Sequence, residues 1–255
     1  MDIEGNWARI KTHRARLSDR DVRGLAAVLF YDREDWLEEK LRSREDEALV
    51  IEFLGYLGQS GSLEAVRILL QQWDTHDEAL LLAAAEALRK CPSILTLDPL
   101  IQILRQQNAN AIKAGEVLLS YGREGADALW HLWYEENSAA GLKMQILQLM
   151  AESMDQRAEP LAYLAFLSED DDLVRAALKA ADKLDARILW GNVAYCLKHQ
   201  DWKLRGRAAR LLGRWEEKRA LDSLREMGAD PDPWVEEERR KAIAILDGDG
   251  EGDDG

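Results

Sequence analysis

Self-similarity at a spacing of about 31 residues runs through nearly the whole chain and leaves few architectures open to it. Aligned on one apolar position per unit, the anchors are Val22, Leu49, Leu80, Ile112, Leu142, Val174, Leu204 and Val235, at intervals of 27, 31, 32, 30, 32, 30 and 31 residues. Three residues before each anchor stand Asp19, Asp46, Asp77, Ala109, Ala139, Asp171, Asp201 and Asp232. Seven residues after it come Leu29, Tyr56, Ala87, Leu119, Leu149, Ala181, Leu211 and Ala242, all of them apolar. An aspartate just ahead of an apolar run suits a helix start, where its carboxylate accepts from free backbone N–H groups and complements the helix dipole.

Each unit reads as two helices. From Asp201, residues Leu204, Ala208, Leu211 and Trp215 fall on one helical face, and Gly213 is expected to end the helix. A second helix follows around Leu221 and Leu224, and Asp230-Pro231 closes the unit. In the unit from Asp46, a first helix carries Leu49, Phe53, Tyr56 and Leu57, Gly58 to Gly61 are expected to break it, and Leu63 to Leu70 form the second. Residues 97–104, 126–133, 160–167 and 188–197 supply further second helices, with Pro99 and Pro160 in first turns. Where alanine stands at the capping position, Asn108 and Ser138 are the alternative caps. A two-helix unit cannot bury its apolar face alone, so neighbours must stack around one continuous core. Few prolines and no strict two-residue alternation also favour an all-helical chain.

Asp171-Asp172-Leu173-Val174-Arg175-Ala176-Ala177 and Asp201-Trp202-Lys203-Leu204-Arg205-Gly206-Arg207-Ala208-Ala209-Arg210-Leu211-Leu212-Gly213 resemble HEAT repeats of the short bacterial kind shared with phycobilisome lyases. Asp19-Arg20-Asp21-Val22-Arg23-Gly24-Leu25-Ala26-Ala27 carries the same pattern. The resemblance implies an all-α, right-handed α-solenoid, a HEAT/armadillo-like superhelix of about seven two-helix repeats with capping helices. The expected organisation is a capping helix over 1–18, the repeat solenoid over 19–246, and a disordered acidic tail over 247–255. The repeat arginines Arg175 and Arg205 are expected to bond between adjacent units.

A formal net charge of −14 repels phosphate backbones and disfavours nucleic acid as a partner. Cys91 and Cys196 are too few and too far apart for a disulfide framework or a zinc site, and read as small buried hydrophobes. The start has no apolar signal-peptide core, and the most apolar run, 79–85, is far short of a membrane span. A soluble, cytoplasmic protein, monomeric in isolation, is the expectation. The four histidines lie in separate units, and the Asp170-Asp171-Asp172 run suits a helix start better than a cation site.

Two features point to a binding surface. Trp130, His131, Trp133 and Tyr134 sit at positions of a second helix that cannot all enter one narrow core stripe, and exposed Trp and Tyr rings are common interface anchors. By the family resemblance second helices line the concave surface, which Trp73 and Trp190 are expected to extend. The other feature is a basic stripe, Lys203, Arg207, Arg210 and Arg214, at spacings of four, three and four, suited to an acidic partner or a phosphate.

With no nucleophile–base pair, phosphate-binding glycine loop or metal cluster in the sequence, the leading expectation is a non-enzymatic scaffold that needs no cofactor and binds a protein partner on its concave surface. The resemblance also implies an alternative, a bilin lyase subunit or chromophore-handling chaperone. A HEAT-like DNA glycosylase, which needs a strongly basic concave face, is set against the net charge.

Overall fold

The computed structural model describes residues 47–61, 63–74, 77–108 and 110–248. The expected capping helix over 1–18, the first repeat from Asp19 and the acidic residues beyond 248 lie outside the described residues. The fold is all-α: thirteen α-helices and no strand are present among the described residues. The chain divides into two compact units, Met1–Leu129 and Trp130–Gly255.

In the first unit, α1 (Glu47–Ser60), α3 (Glu78–Leu88) and α5 (Ala111–Ser120) are first helices, and α2 (Leu63–Gln71) and α4 (Ser93–Arg105) are second helices. Helix α6 (Arg123–Trp133) runs across the division between the units. In the second unit, the first helices are α7 (Ala140–Glu152), α9 (Asp171–Leu184), α11 (Trp202–Arg214) and α13 (Pro233–Asp247); the second helices are α8 (Ala158–Phe166), α10 (Trp190–Tyr195) and α12 (Leu221–Glu226). Within each unit a first helix packs on the first helix of the next repeat: α1 on α3 and α3 on α5, then α7 on α9, α9 on α11 and α11 on α13. This neighbour-to-neighbour stacking is the packing of a repeat solenoid.

Aspartate caps recur at the helix starts. Asp77 accepts from the N–H groups of Ala79 and Leu80, Asp170 from Asp172 and Leu173, Asp201 from Lys203, and Asp232 from Trp234 and Val235. The sixth unit is therefore capped by Asp170, one residue earlier than the sequence register places it. The unit before it lacks a side-chain cap: Ala139 occupies the N-cap, and the Ser138 hydroxyl is buried without a partner, contrary to its expected role. Asn108 accepts from the backbone N–H of Asn110, but Asn110 is itself the N-cap of the helix starting at Ala111, which has no side-chain cap, so Asn108 does not take the capping role either.

Burial corrects the register again at Ile112, which is only half-buried, whereas Ala111 is fully buried. The buried anchors are Leu80, Ala111, Leu142, Leu173, Leu204 and Val235, and their spacing is a constant 31 residues. The intervals of 30 and 32 disappear.

Other helix ends also differ from expectation. Gly58 lies inside α1, and the helix stops at Gly61, whose φ of +58° is open to glycine. Gly213 likewise lies within α11. Both glycines allow close packing: a Cβ on Gly58 would meet the Ala87 carbonyl oxygen at 2.3 Å, and one on Gly213 would meet the Ala242 Cα at 2.9 Å. Each pair links position nine after one anchor to position seven after the next. Pro99 sits well inside α4, not in its first turn, because the helix starts at Ser93. Residues 188–197 form α10 flanked by short 3₁₀ turns. Asp247 ends α13 and pairs with Arg225 at 2.5 Å, so it belongs to the last described helix and not to a tail.

The carbonyls at the ends of first helices have no partner within their own helix. Side chains from the following repeat reach back to them: Cys91 Sγ to Gly58, the Tyr121 hydroxyl to Leu88 at 2.6 Å, and Arg214 Nη2 to Asp182 at 3.1 Å. No helix among the described residues is long and apolar enough to cross a membrane.

Candidate functional site

Five of the sequence candidates are aromatic: Trp73, Trp130, Trp133, Tyr134 and Trp190. The end of α6 brings Trp130 and Tyr134 together, with ring centroids 5.1 Å apart and planes tilted by 55°. Trp130 is half-buried and Tyr134 is 53% exposed, in line with the expectation that part of this cluster faces solvent. Trp133 is a correction. Its ring is 4% exposed, with Lys143 Nζ 5.8 Å from its centroid, because it projects from the helix face that also carries buried Leu129 and Leu132. Trp73 is a second correction: it is 3% exposed, and its indole N–H donates to the Asn110 carbonyl. Neither ring can act as an exposed anchor. Trp190 is half-buried beneath Arg219, whose guanidinium lies 4.8 Å from the ring centroid. Arg219 is held in turn by a two-bond contact to Glu217, at 2.7 Å for each bond, which lowers the Glu217 pKa.

Further exposed aromatic residues, not evident from the sequence, lie on the second helices. Tyr163 on α8 and Tyr195 at the end of α10 are exposed, as are Leu167 and Ile188 beside those helices. Together with Tyr134 they place exposed apolar rings on three successive second-helix segments of the second unit. Their sequence signal is slight, because a lone tyrosine flanked by apolar residues, Ala162 and Leu164 or Ala194 and Cys196, does not stand out in a helical pattern.

The basic stripe does lie on one face of α11. Lys203, Arg210 and Arg214 are exposed and Arg207 is half-buried. Lys203 sits 5.6 Å from the Trp202 ring. Arg214 is tied to Asp182 through both its carboxylate and its carbonyl, so it has a structural role between α9 and α11. Arg207, Arg210 and Arg214 line a cleft of about 290 Å³ together with Leu178, Lys179 and Asp182 of α9. Lys183 joins Lys179, Asp182 and Arg214 around an adjoining, more open space of about 420 Å³. Lys179 and Lys183 were invisible as site residues in the sequence, because only stacking brings α9 beside α11.

The repeat arginines have the inter-repeat role expected of them. Arg175 donates to Asp201 at 2.9 Å, and Arg205 donates twice to Asp230, at 2.6 and 2.9 Å. Arg205 lowers the Asp230 pKa. For Asp201, desolvation pushes upward but is outweighed by the Lys203 N–H and Arg175, so its pKa also falls. Glu236 is held down to about 2, first by Arg239, with the Asp230 N–H and Arg240 adding to the effect.

His199 is used structurally: Nδ1 accepts from the Asp201 N–H at 3.0 Å. His131 is exposed in a different repeat. No group of three or more potential metal ligands occurs among the described residues. Burial raises Cys91 to about 11 and Cys196 to about 12, as suits inert core thiols. The described residues thus present exposed aromatic side chains on the second helices and a cationic cleft between α9 and α11.

No protein-family model matches the chain, and no curated protein matches it. Among solved structures, the chain is similar to an engineered protein from the Northeast Structural Genomics Consortium at 16% identity, covering 88% of this chain and 71% of that one, with a TM-score of 0.44. It is similar to another engineered protein from the same consortium at 16% identity, covering 85% of this chain and 98% of that one, with a TM-score of 0.38. Likenesses this remote say nothing about function.

Proposed function

We propose that this protein is a non-enzymatic interaction scaffold built from short HEAT-type repeats, which binds a protein partner through the second-helix face of its second unit. The observation that supports this most is the exposure of Tyr134, Tyr163 and Tyr195 on successive second-helix segments, with the Trp130 ring packed at a tilt against Tyr134. Tyrosine presents a large, amphipathic contact area at a small cost in side-chain entropy, which is why it anchors interfaces. The surrounding helices are fixed by their own stacking, so the face is preformed and a partner binds without ordering it.

The test is capture of partners from source lysate at moderate salt by the wild type and by the triple variant Tyr134→Ala, Tyr163→Ala, Tyr195→Ala. A stoichiometric protein captured by the wild type and lost by the variant supports the scaffold reading. Equal capture by both overturns it. A coloured eluate would favour the chromophore-handling alternative.

A further inference from the structure

Every described arginine of the second unit has a carboxylate partner except Arg207 and Arg210. Acids outnumber bases 48 to 34 in this chain, so unpaired arginines are not a matter of supply. Both line the same cleft between α9 and α11. Lys179 and Lys183 border that cleft and its open extension, and neither has an ion-pair partner among the described residues. The single acid in the lining, Asp182, is engaged by Arg214. Four uncompensated positive charges thus gather where the rest of the chain is strongly negative. In addition, Arg207 Nη1 is buried with no acceptor. A buried donor without a partner is destabilising, and more so when it is charged. An anion entering the cleft would remove that cost.

The repeat register arranges these charges. Lys179 and Arg210 stand six residues after the anchors Leu173 and Leu204, and Lys183 and Arg214 stand ten after them. The result is two parallel rows on adjacent helices. Within a row the charges are about 5–6 Å apart; packed helices lie about 8–10 Å apart. An extended peptide presents side chains on one side about every 7 Å, close to the spacing within a row. Charges placed in two rows on neighbouring helices suit several carboxylates better than one phosphate. Leu178 and Leu211 offer apolar lining for glutamate methylenes. A nucleic acid needs a longer continuous basic track and would meet the field of a −14 chain.

We infer that the α9–α11 cleft binds an extended acidic segment of a protein partner, with carboxylates on alternate residues and one of them bonded to Arg207. The inference rests on the scaffold reading and gives the partner chemistry at a second surface, apart from the tyrosine face.

Fluorescence polarisation with the full chain tests it. The probes are a labelled peptide containing Glu-Ser-Glu-Ser-Glu, a rearranged peptide containing Ser-Ser-Glu-Glu-Glu, and a short single-stranded DNA of equal charge. At low salt the alternating peptide binds the wild type at least threefold tighter than either competitor. Arg207→Ala with Arg210→Ala weakens it tenfold or more, and Lys179→Ala with Lys183→Ala at least threefold; Lys218→Ala leaves it unchanged. The lysine pair is exposed, so that variant keeps its fold even if the arginine pair does not, as circular dichroism will show. No binding by the wild type, equal affinity for the three probes, tighter binding of the DNA or the rearranged peptide, or unchanged affinity in the lysine variant overturns the inference. A protein that captures its partner through the tyrosine face yet binds no acidic peptide overturns this inference alone. Partner capture indifferent to the tyrosine variant, with peptide binding intact, overturns the tyrosine-face reading alone.

Discussion

The Trp73 indole N–H donates to the Asn110 carbonyl at 3.2 Å, and the Asn110 side-chain amide donates back to the Trp73 carbonyl at 2.7 Å. The two residues are 37 positions apart, so the reciprocal pair joins the end of one second helix to the start of a first helix further along the array. A tryptophan that looked like a surface anchor is thereby a clamp between repeats, and Trp133 is also core.

Core rings and surface rings separate cleanly on substitution. Trp133→Ala and Trp73→Ala should each cost about 3–5 kcal/mol, the usual range for removing a large buried ring. Tyr134→Ala should cost no more than about 1.5 kcal/mol, the worth of its ring contact with Trp130. Urea denaturation of the three variants measures this, and similar losses for Tyr134 and Trp133 would refute it.

Gly58 and Gly213 differ in what opposes them. Gly58→Ala and Gly213→Ala should each destabilise by about 1–3 kcal/mol through overpacking. Gly58 faces backbone atoms of Ala87, so Ala87→Gly gives no rescue. Gly213 faces both the Cβ and the Cα of Ala242, so Ala242→Gly restores part of the loss. A double-mutant cycle for each pair reads the difference as a coupling energy.

Acid should unfold the second unit through its depressed carboxylates. The Glu236 pKa lies near 2 in the folded chain against an ordinary 4.5, and those of Asp230 and Asp201 are also lowered. A depressed folded pKa contributes stability that is complete above the ordinary value and is lost as pH falls towards the folded one. Melting temperature should therefore change little from pH 7 to about 5 from these groups, then fall between about 4.5 and 2. Glu236→Gln should flatten part of that fall; an identical pH profile would sink the assignment.

Both thiols should be silent in the native protein. With Cys91 raised to about 11 and Cys196 to about 12, little thiolate exists at pH 8, and both side chains are buried. A chromogenic disulfide reagent should react slowly with the folded chain and rapidly with both cysteines in denaturant. Fast native labelling of either would contradict this burial.

Much of the architecture can be read directly from one dimension. Asp77, Asp201 and Asp232 cap helices where the periodic aspartate places them, because capping is a local contact between a side chain and backbone two or three residues away. The all-helical class and the two-helix repeat follow from apolar spacing in the same local way. The register was ambiguous by one residue where two apolar residues adjoin, at Ala111-Ile112 and Leu173-Val174. At Ala111-Ile112 burial chose; at Leu173-Val174, where both side chains are buried, the Asp170 cap did.

Tertiary structure alone decided the rest. Gly58 and Gly213 read as helix ends but are contact points, since what faces a glycine lies a full repeat away. Trp73 and Trp133 could not be told from Tyr134, because helical position sets direction and only the neighbouring helices determine what covers it. The cationic cleft is the clearest case: the arginines of α11 formed a stripe in the sequence, but Lys179 and Lys183 joined them only when α9 packed alongside. Periodicity determines which residues a helix turns to one side; stacking determines which of those sides meet, and the cationic cleft exists only where the faces of α9 and α11 meet.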